Sequence, residues 1–194
     1  QVQFYNGGNA GVQEGQATTT GYMLFKRFNR SISKTSPGVA SQNRPSIIFR
    51  LADFYLIYAE VANEVNPSDS RVLTYLNLVR ERAGLPKVEI LNPGIVGNKE
   101  LQRAAIQRER QIELATEGQR YFDVRRWMIA DKDGEGRQNG YAHGMNVRGT
   151  INDTEEFNRV VETEKIVFNR KMYLQPIPDH EMRKTQNLVQ NPGW

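Results

Sequence analysis

Three carboxylates on one predicted helix are the residues best placed to do chemistry. Glu109, Glu113 and Glu117 are spaced four residues apart, so on a helix they share one face. Glycoside hydrolysis needs two carboxyl groups at a defined separation, but that pair normally spans a sugar-filled cleft from two different elements. Carboxylates on a single helix face repel one another unless cations lie between them.

An ion-pair network therefore explains this carboxylate ladder better than catalysis does. Buried Arg–carboxylate pairs commonly organise helix packing. The cations nearest to the ladder in the sequence are Arg108, Arg110, Arg120, Arg125 and Arg126. We expect these pairs to be structural and the chain to carry no catalytic residues.

A second acidic cluster resembles the opening of a calcium loop. Asp131, Asp133 and Glu135 place oxygen ligands at alternate positions, with Gly136 sixth, as in an EF-hand. The bidentate acid expected at the twelfth position is missing, because Ala142 stands there. The sequence leaves a looser calcium site or an ordinary solvated acidic loop, and we expect no bound metal.

The composition excludes several classes of protein. The chain of 194 residues has no cysteine and only two histidines, so a disulfide framework, a zinc ribbon and a histidine-rich metal site are ruled out. The most apolar stretch, residues 51–62, already contains Asp53 and Glu60, which argues against a transmembrane span. The first residue is Gln1, which we interpret as processing or as a piece of a longer protein.

The net charge of +4 lies entirely in the N-terminal quarter. Residues 1–49 contain five Lys or Arg but one acidic residue, and the rest of the chain is balanced. Basic residues and aromatic rings over residues 22–44 could bind a nucleic acid, but the cations form no cluster. We expect no nucleic acid partner and no cofactor.

The elements that position these residues are predicted to be mainly helical. Apolar residues recur at spacings of three and four from Arg50 to Val65. Ser68 or Asp69 is a natural cap for a second helix, which ends at Ala83 before Gly84. The two helices should form an antiparallel hairpin.

A second helical pair and a short β element complete the prediction. After a loop over residues 86–97, Asn98 should cap a third helix that reaches about Glu117, and Gly118 precedes a fourth helix over 121–129. Residues 131–165 are predicted as a loop, 166–174 as a strand, and Asp179 as the cap of a last short helix. Residues 1–49 should be loop-rich.

Four motifs in this order resemble one known family. They are Arg50–Glu60 (RLADFYLIYAE), Tyr75–Leu85 (YLNLVRERAGL), Glu109–Trp127 (ERQIELATEGQRYFDVRRW), and Tyr173–Pro178 (YLQPIP) with Gln190–Trp194 (QNPGW). Together they closely resemble the C-terminal part of the SusD/RagB family of outer-membrane nutrient-binding lipoproteins. The resemblance covers residues 50–128 and 166–194, and Thr116 departs from the family pattern, which usually has an aromatic residue there.

The resemblance implies a mainly α fold of SusD-like, tetratricopeptide-like helical hairpins with long irregular loops. Residues 1–49 would form a loop-rich segment of the same domain, and 50–194 a C-terminal-type helical domain with a variable loop at 129–165. Seven residues of the motifs would hold the helices together, namely Arg80, Arg82, Glu109, Glu113, Arg120, Asp123 and Trp127.

The resemblance also implies a function without catalysis. Such a protein would sit on the extracellular face of the outer membrane through an N-terminal lipid that this chain does not contain. It would bind an oligosaccharide or other nutrient and deliver it to a SusC-like TonB-dependent porin. The alternative is a helical-repeat scaffold that binds a protein or peptide.

Ligand residues cannot be transferred from the family, because they would lie on variable loops. Sugar binding requires exposed aromatic rings for the apolar sugar faces, with amides beside them for the hydroxyls. The candidates in loop segments are Tyr5, Tyr22 and Tyr141, with Asn6, Asn139 and Asn146 nearby. An ordinary loop role for each tyrosine is the competing interpretation.

Overall fold

The described part of the chain is mainly helical, as the sequence predicts. The computed structural model describes residues 22, 24 and 26, 47–132, 140–146 and 159–194. Two compact units arise, one from residues 43–126 and one from residues 1–42 with 127–194. The first contains α1 (Leu51–Val65), α2 (Arg71–Arg82), α3 (Val88–Leu91), α4 (Lys99–Glu113) and α5 (Gln119–Arg126). The second contains β1 (Gly140–Met145), β2 (Arg159–Ile166) and α6 (Asp179–Met182).

The α1–α2 hairpin has the predicted helices and a slightly different turn. α2 begins after Ser70, later than the predicted caps Ser68 and Asp69. Asp69 still accepts a hydrogen bond from the backbone N–H of Arg71 at 2.9 Å, so it satisfies one of the free donors at the helix start. Ser70 makes no side-chain capping bond, so Asp69, one of the two predicted residues, caps the helix start.

Gly84 ends α2, as predicted, in a left-handed conformation with φ of 76°. The N–H of Gly84 donates to the carbonyl of Glu81, and the N–H of Leu85 donates to the carbonyl of Arg80. This pair of bonds is a Schellman motif, which satisfies carbonyls that the helix end would otherwise leave free.

The predicted loop over residues 86–97 contains two short helical turns, α3 and a 3-10 turn at Pro93–Ile95. Asn77 of α2 holds α3 in place, because its amide oxygen accepts the N–H of Val88 at 3.0 Å and its amide nitrogen donates to Glu89 at 2.8 Å. Val88 and Ile95 are buried in the core. These single apolar residues among Pro and Gly give no periodic signal, so the sequence pattern did not reveal the turns.

Asn98 caps α4 as predicted, accepting the N–H of Leu101 at 3.2 Å. The helix ends at Glu113, earlier than the predicted end near Glu117, and α5 ends at Arg126 instead of Ile129. Between them the chain turns through two residues with positive φ, Thr116 at 67° and Gly118 at 83°. The helix therefore breaks before Gly118. The apolar residues keep their helical spacing through this region, so the sequence did not reveal the earlier break.

The core of the helical unit lies where α1, α2 and α4 meet. Leu56, Leu76 and Ile106, one from each helix, have no exposed surface. Each such side chain stabilises the fold by about 1.5–3 kcal/mol relative to an exposed position. Further buried apolar residues in this cluster are Ala52, Ala59, Val72, Val79, Val88 and Ile95.

The second unit contains a two-stranded antiparallel sheet inside the segment that the sequence predicted as loop. β1 pairs with β2 from Gly140 opposite Ile166 to Met145 opposite Arg159, with two irregularities in register. The low apolar content of this segment hid the pairing, because backbone hydrogen bonds in a two-stranded ladder do not require an apolar face.

The predicted strand over residues 166–174 is wrong. β2 ends at Ile166, and Arg170–Tyr173 form a 3-10 turn. The turn brings the rings of Phe168 and Tyr173 together, with centroids 5.0 Å apart and an edge-to-face angle of 67°. Of the apolar residues whose alternation suggested a strand, Phe168 is buried, whereas Ile166 and Leu174 are exposed, so the alternation does not mark one buried face.

The C-terminal residues fold back onto this turn. The Trp194 indole N–H lies 3.0 Å from the carbonyl of Lys171 and 3.0 Å from that of Leu174. Asp179 is the first residue of α6, and Pro178 occupies the cap position predicted for Asp179. The predicted domain limits, residues 1–49 and 50–194, remain a prediction.

Candidate functional site

The carboxylate ladder at the end of α4 is neutralised by arginines from α2 and from the start of α1. Glu109 pairs with Arg80 at 2.9 Å, and Glu117 pairs with Arg50 at 2.7 Å. Glu113 accepts hydrogen bonds from both Arg50 and Arg82. Each rung of the ladder therefore connects α4, or the turn after it, to another helix.

These three arginines are not among the cations that the sequence suggested. Of the suggested set, Arg110 and Arg126 bind other carboxylates instead. Arg108 and Arg110 project from other sides of α4, because successive helix residues point about 100° apart, and the other three suggested arginines lie on α5. Arg50, Arg80 and Arg82 lie 29 to 67 positions before the carboxylates that they bind, which the periodicity of one helix cannot reveal.

Arg110 forms a second, fully buried centre between α1 and α5. Its guanidinium contacts Asp53 at 2.9 Å and binds Asp123 through two bonds of 3.0 and 3.2 Å. Arg126 extends the group, bonding Asp123 at 2.9 Å and Glu60 at 2.6 Å. Because Asp53, Asp123 and Glu60 are all carboxylates, the centre ties three helices together by charge-assisted hydrogen bonds.

The electrostatics favour permanently charged groups. Burial disfavours the charged form of Arg50, but hydrogen bonds with Glu117 and Glu113 outweigh it, and the pKa of Arg50 is raised. The pKa of Arg126 is raised in the same way, with Glu60 and Asp123 outweighing burial. A general acid must hold and release a proton, whereas an arginine whose pKa is raised stays protonated. The arrangement is thus suited to packing helices.

Five of the seven predicted motif residues take part in these ion pairs, namely Arg80, Arg82, Glu109, Glu113 and Asp123. Arg120 lies half-buried on α5, and Trp127 lies half-buried directly after that helix. Sequence reasoning did not identify Arg50 and Asp53 as members of the network. The signal for Asp53 was a charged residue within an otherwise apolar helix stripe, which is unusual unless the charge is paired, whereas Arg50 precedes the helix and gave no such signal.

The described residues include only Tyr22 and the backbone of Tyr141 among the proposed sugar-binding tyrosines. Tyr22 is exposed, and the backbone of Tyr141 lies in β1. Tyr5, Asn6 and Asn139 lie outside the described residues. These positions stay predictions.

The acidic loop is described only at its first residues. Asp131 accepts the hydroxyl hydrogen of Tyr173 at 2.5 Å, and this hydrogen bond lowers the pKa of Asp131. Asp133 and Glu135 lie outside the described part of the chain. Within residues 47–132, 140–146 and 159–194, no three His, Asp or Glu side chains are grouped to hold a metal ion.

An exposed aromatic pair on α5 is a surface feature that the sequence reasoning did not select. The rings of Tyr121 and Phe122 meet edge to face, with centroids 5.2 Å apart. The Arg125 guanidinium lies over Tyr121, 3.4 Å from the ring centroid. Rings of this kind can stack on sugars or pack on another protein surface.

The helical unit, with its paired helices and interhelical Arg–carboxylate centre, has the architecture of a helical-repeat protein. A model of the SusD family matches residues 1–194, and the chain belongs to this family.

Named relatives agree with this assignment. The chain is 44% identical over 106 residues to SusD-like protein P25 of Formosa agariphila, covering 55% of this chain and 19% of that protein. It is 31% identical over 153 residues to SusD-like protein P2 of the same organism, covering 76% of this chain and 26% of that protein. The chain thus spans about a fifth to a quarter of the length of these relatives.

Solved structures show the same fold. A crystal structure of a SusD-like protein from Bacteroides fragilis is similar with a TM-score of 0.61 and 31% identity, covering 77% of this chain and 26% of that one. No helix in the described residues combines the length and the apolar character needed to cross a membrane.

Proposed function

We propose that the protein binds a nutrient at the cell surface, as a non-catalytic component of an uptake system. The nutrient class is an oligosaccharide or other glycan. The observation that carries this proposal is the match of the SusD family model to residues 1–194, supported by relatives and structures described as SusD-like. The family provides the class of function.

The proposal includes delivery of the nutrient to a SusC-like TonB-dependent transporter in the outer membrane. The protein would lie on the extracellular face of that membrane, attached by an N-terminal lipid. Both points follow from family membership. A direct test is to isolate the complete polypeptide from its native membrane and to ask whether a TonB-dependent porin copurifies.

The proposed absence of catalysis is supported by the contacts of the carboxylates. Glu109, Glu113 and Glu117 each have an arginine partner, which compensates the negative charge. We propose that they and the other motif residues hold the helices together. The Glu113→Gln variant tests this role by its melting temperature and its turnover of a glycan. A folded variant with an unchanged melting temperature and an altered turnover would contradict the structural role.

Glycan binding is best measured on the complete polypeptide that the native gene encodes. Affinity gel electrophoresis with a panel of polysaccharides should show retarded migration for at least one of them. The candidate ring is tested by Tyr141→Ala, with Tyr141→Phe as the matched control that keeps the ring. Loss of retardation in the first variant alone supports stacking at Tyr141.

A second function, a scaffold for another protein, is favoured by one observation. The outer face of α1 exposes apolar side chains, among them Phe54 and Val61. Apolar patches of this kind mark interaction surfaces. A scaffold would bind no polysaccharide in the gel assay, so the same experiment separates the two functions.

A further inference from the structure

Tyr173 and Asp131 join two parts of the chain that lie 42 positions apart. The Tyr173 hydroxyl donates to the Asp131 carboxylate at 2.5 Å and accepts the backbone N–H of the same residue at 3.1 Å. Asp131 precedes β1 and Tyr173 follows β2, so these two bonds close the base of the stretch that carries both strands. We call residues 132–172 the hairpin segment.

A two-stranded hairpin depends on contacts at its base. In the described residues β1 and β2 pair only with each other, and their ladder contains two register shifts. Such a sheet is marginally stable in water on its own. Pinning both ends of a chain segment removes conformational freedom that the segment would otherwise keep. The two bonds between Tyr173 and Asp131 therefore restrict where the hairpin can lie.

The last two residues of the chain hold the turn that carries Tyr173. The Trp194 indole N–H is shared between the carbonyls of Lys171 and Leu174, at 3.0 Å from each. The Lys171 ammonium lies over the indole ring, 4.2 Å from its centroid. A Cβ added at Gly193, where φ is 86°, would lie 3.0 Å from the Lys171 Cβ. Glycine at this position therefore permits the close approach of the chain end to the turn.

Two amide side chains extend this attachment. Gln190 accepts the backbone N–H of Ile177 at 2.8 Å and donates to the carbonyl of the same residue at 2.9 Å. The Asn191 amide nitrogen donates to the carbonyl of Gln175 at 2.6 Å. All these bonds are made to backbone groups, so they fix the course of residues 171–177 directly. We call residues 190–194 the C-terminal clasp.

The contacts of Tyr173 and Trp194 are suited to fixing geometry. Trp194 is 44% exposed, so it buries much less apolar surface than a core residue does. The Tyr173 ring meets the buried ring of Phe168 edge to face, which sets the direction of its hydroxyl. The clasp holds the turn, the turn presents the hydroxyl, and the hydroxyl binds Asp131.

We infer that Tyr173 is a positioning residue for the β1–β2 hairpin and that the C-terminal clasp holds it in place. Its bonds with Asp131 fix the base of the hairpin segment, and thereby the place of Tyr141 in β1. The inference rests on the proposed function, in which the ring of Tyr141 is a candidate for stacking on the nutrient. Tyr173 acts through the hairpin and needs no contact with the nutrient.

Hydrogen exchange and glycan affinity test this inference in the complete polypeptide that the native gene encodes. Tyr173→Phe keeps the ring and removes the hydroxyl. The amides of β1 and β2 should then exchange at least about tenfold faster, because a hydrogen bond to a carboxylate no longer closes the base, while those of α1, α2 and α4 keep their rates. Affinity for the polysaccharide retained in the gel assay should fall by about threefold or more, since a looser site must be ordered on binding.

The matched control is Tyr58→Phe. Tyr58 makes ring contacts with Tyr75 and Arg71 but no hydrogen bond within the described part of the chain, so its variant should leave both measurements unchanged. Trp194→Phe keeps a ring and removes the indole N–H, and it should speed exchange in the same two strands. Circular dichroism melting checks that each variant is folded.

A conservative substitution at Asp131 separates the hydrogen bond from general damage to this part of the fold. Asp131→Asn keeps an oxygen that can accept the Tyr173 hydroxyl, whereas Asp131→Ala removes it. The asparagine variant should retain more of the protection of β1 and β2 than the alanine variant does. Equal loss of protection in the two variants would contradict a role for this bond.

The two measurements also separate this inference from the proposed function. Unchanged exchange of β1 and β2 in Tyr173→Phe would overturn the inference, whatever the glycan result. Faster exchange with full glycan affinity would overturn it as well, because the place of the hairpin would then not matter for binding. If the unmodified protein bound no polysaccharide, the proposed function would fail, and the exchange rates alone would decide whether Tyr173 fixes the hairpin.

Discussion

Arg110 of α4 and Asp123 of α5 meet as a bidentate pair, with parallel bonds of 3.0 and 3.2 Å. Both residues are nearly inaccessible to water. The pair crosses the tight turn between the two helices and fixes the position of α5. Asp53 shares the same guanidinium, so α1 is joined to the pair as well.

Replacing Asp123 should be among the most destabilising changes in the chain. Asp123→Asn keeps the shape but removes the carboxylate that binds both Arg110 and Arg126, while Arg110 keeps Asp53 and Arg126 keeps Glu60. The loss arises from buried guanidinium N–H groups that no longer meet a carboxylate, which costs about 1–3 kcal/mol. Urea denaturation followed by circular dichroism measures the loss.

The matched control is Glu100→Gln, the same chemical change in an exposed pair. Glu100 pairs with Arg103, and its side chain is 76% exposed. Exposed pairs contribute at most about 1 kcal/mol. If the two substitutions reduced the free energy of unfolding equally, the Arg110 centre would have no special role in stability.

The contrast between these two pairs shows what sequence patterns can predict. The apolar periodicity located α1 and α2, and the cap residues located the start of α4 and the end of α2, because these signals act within a few residues. The ladder partner Arg50, by contrast, lies 63 positions from Glu113. Which helices meet is decided by packing of the whole core, so the identity of the partners could not be read from one helix.

Residues 166–174 show how a sequence pattern can predict the wrong element. The alternation of Ile166, Phe168, Met172 and Leu174 predicted a strand, but the chain makes a 3-10 turn at Arg170–Tyr173. Short apolar runs fit a strand or a turn equally well until their tertiary contacts are known. The sequence predicts the candidate ligand site less well than the fold, because the ligand tyrosines were proposed from exposure and residue type alone.

The pair of Glu64 with Arg103 and Lys99 should make stability fall in acid. The hydrogen bond from Arg103 is the largest effect and outweighs burial, and the pKa of Glu64 falls from 4.5 to about 2. A lowered pKa in the folded state means that the stabilisation is complete above pH 4.5 and is lost as the pH falls toward about 2. Glu64→Gln should therefore flatten the dependence of the urea midpoint on pH in this window.

A second variant separates this pair from other acid effects. Arg103→Gln leaves the carboxylate in place but removes its main partner, so it should flatten the same window. Because the Glu64 side chain is 43% exposed, solvent screening keeps the effect small. An unchanged pH dependence in both variants would show that the pair does not contribute.

Thr116 should be a site at which substitution stabilises the protein. Its φ of 67° lies in the left-handed region, where a β-branched residue is strained by about 1–2 kcal/mol. Asn tolerates this conformation, so Thr116→Asn should raise the free energy of unfolding by about 0.5–1 kcal/mol. Thermal melting of the two proteins checks the direction.

Gly118, two residues later, provides the opposite control. Its φ is 83°, and a Cβ added there would meet no atom within 4 Å. Gly118→Ala should therefore destabilise by about 1 kcal/mol through backbone conformation alone, without a steric clash. A stabilising effect of Gly118→Ala would mean that the turn does not hold its left-handed geometry.

Asn77 should not tolerate replacement by aspartate, although the two side chains have the same shape. The Asn77 amide nitrogen donates to both carboxylate oxygens of Glu89, at 3.1 and 2.8 Å. An aspartate at this position would lack these donors and would set two carboxylates against each other in a partly buried site. We expect Asn77→Asp to reduce the free energy of unfolding at neutral pH by about 2 kcal/mol or more. Adding Glu89→Gln restores an amide donor between the two side chains, so the double variant should recover part of the lost stability. Urea denaturation measures the recovery. Equal stability of the single and double variants would contradict the pairing.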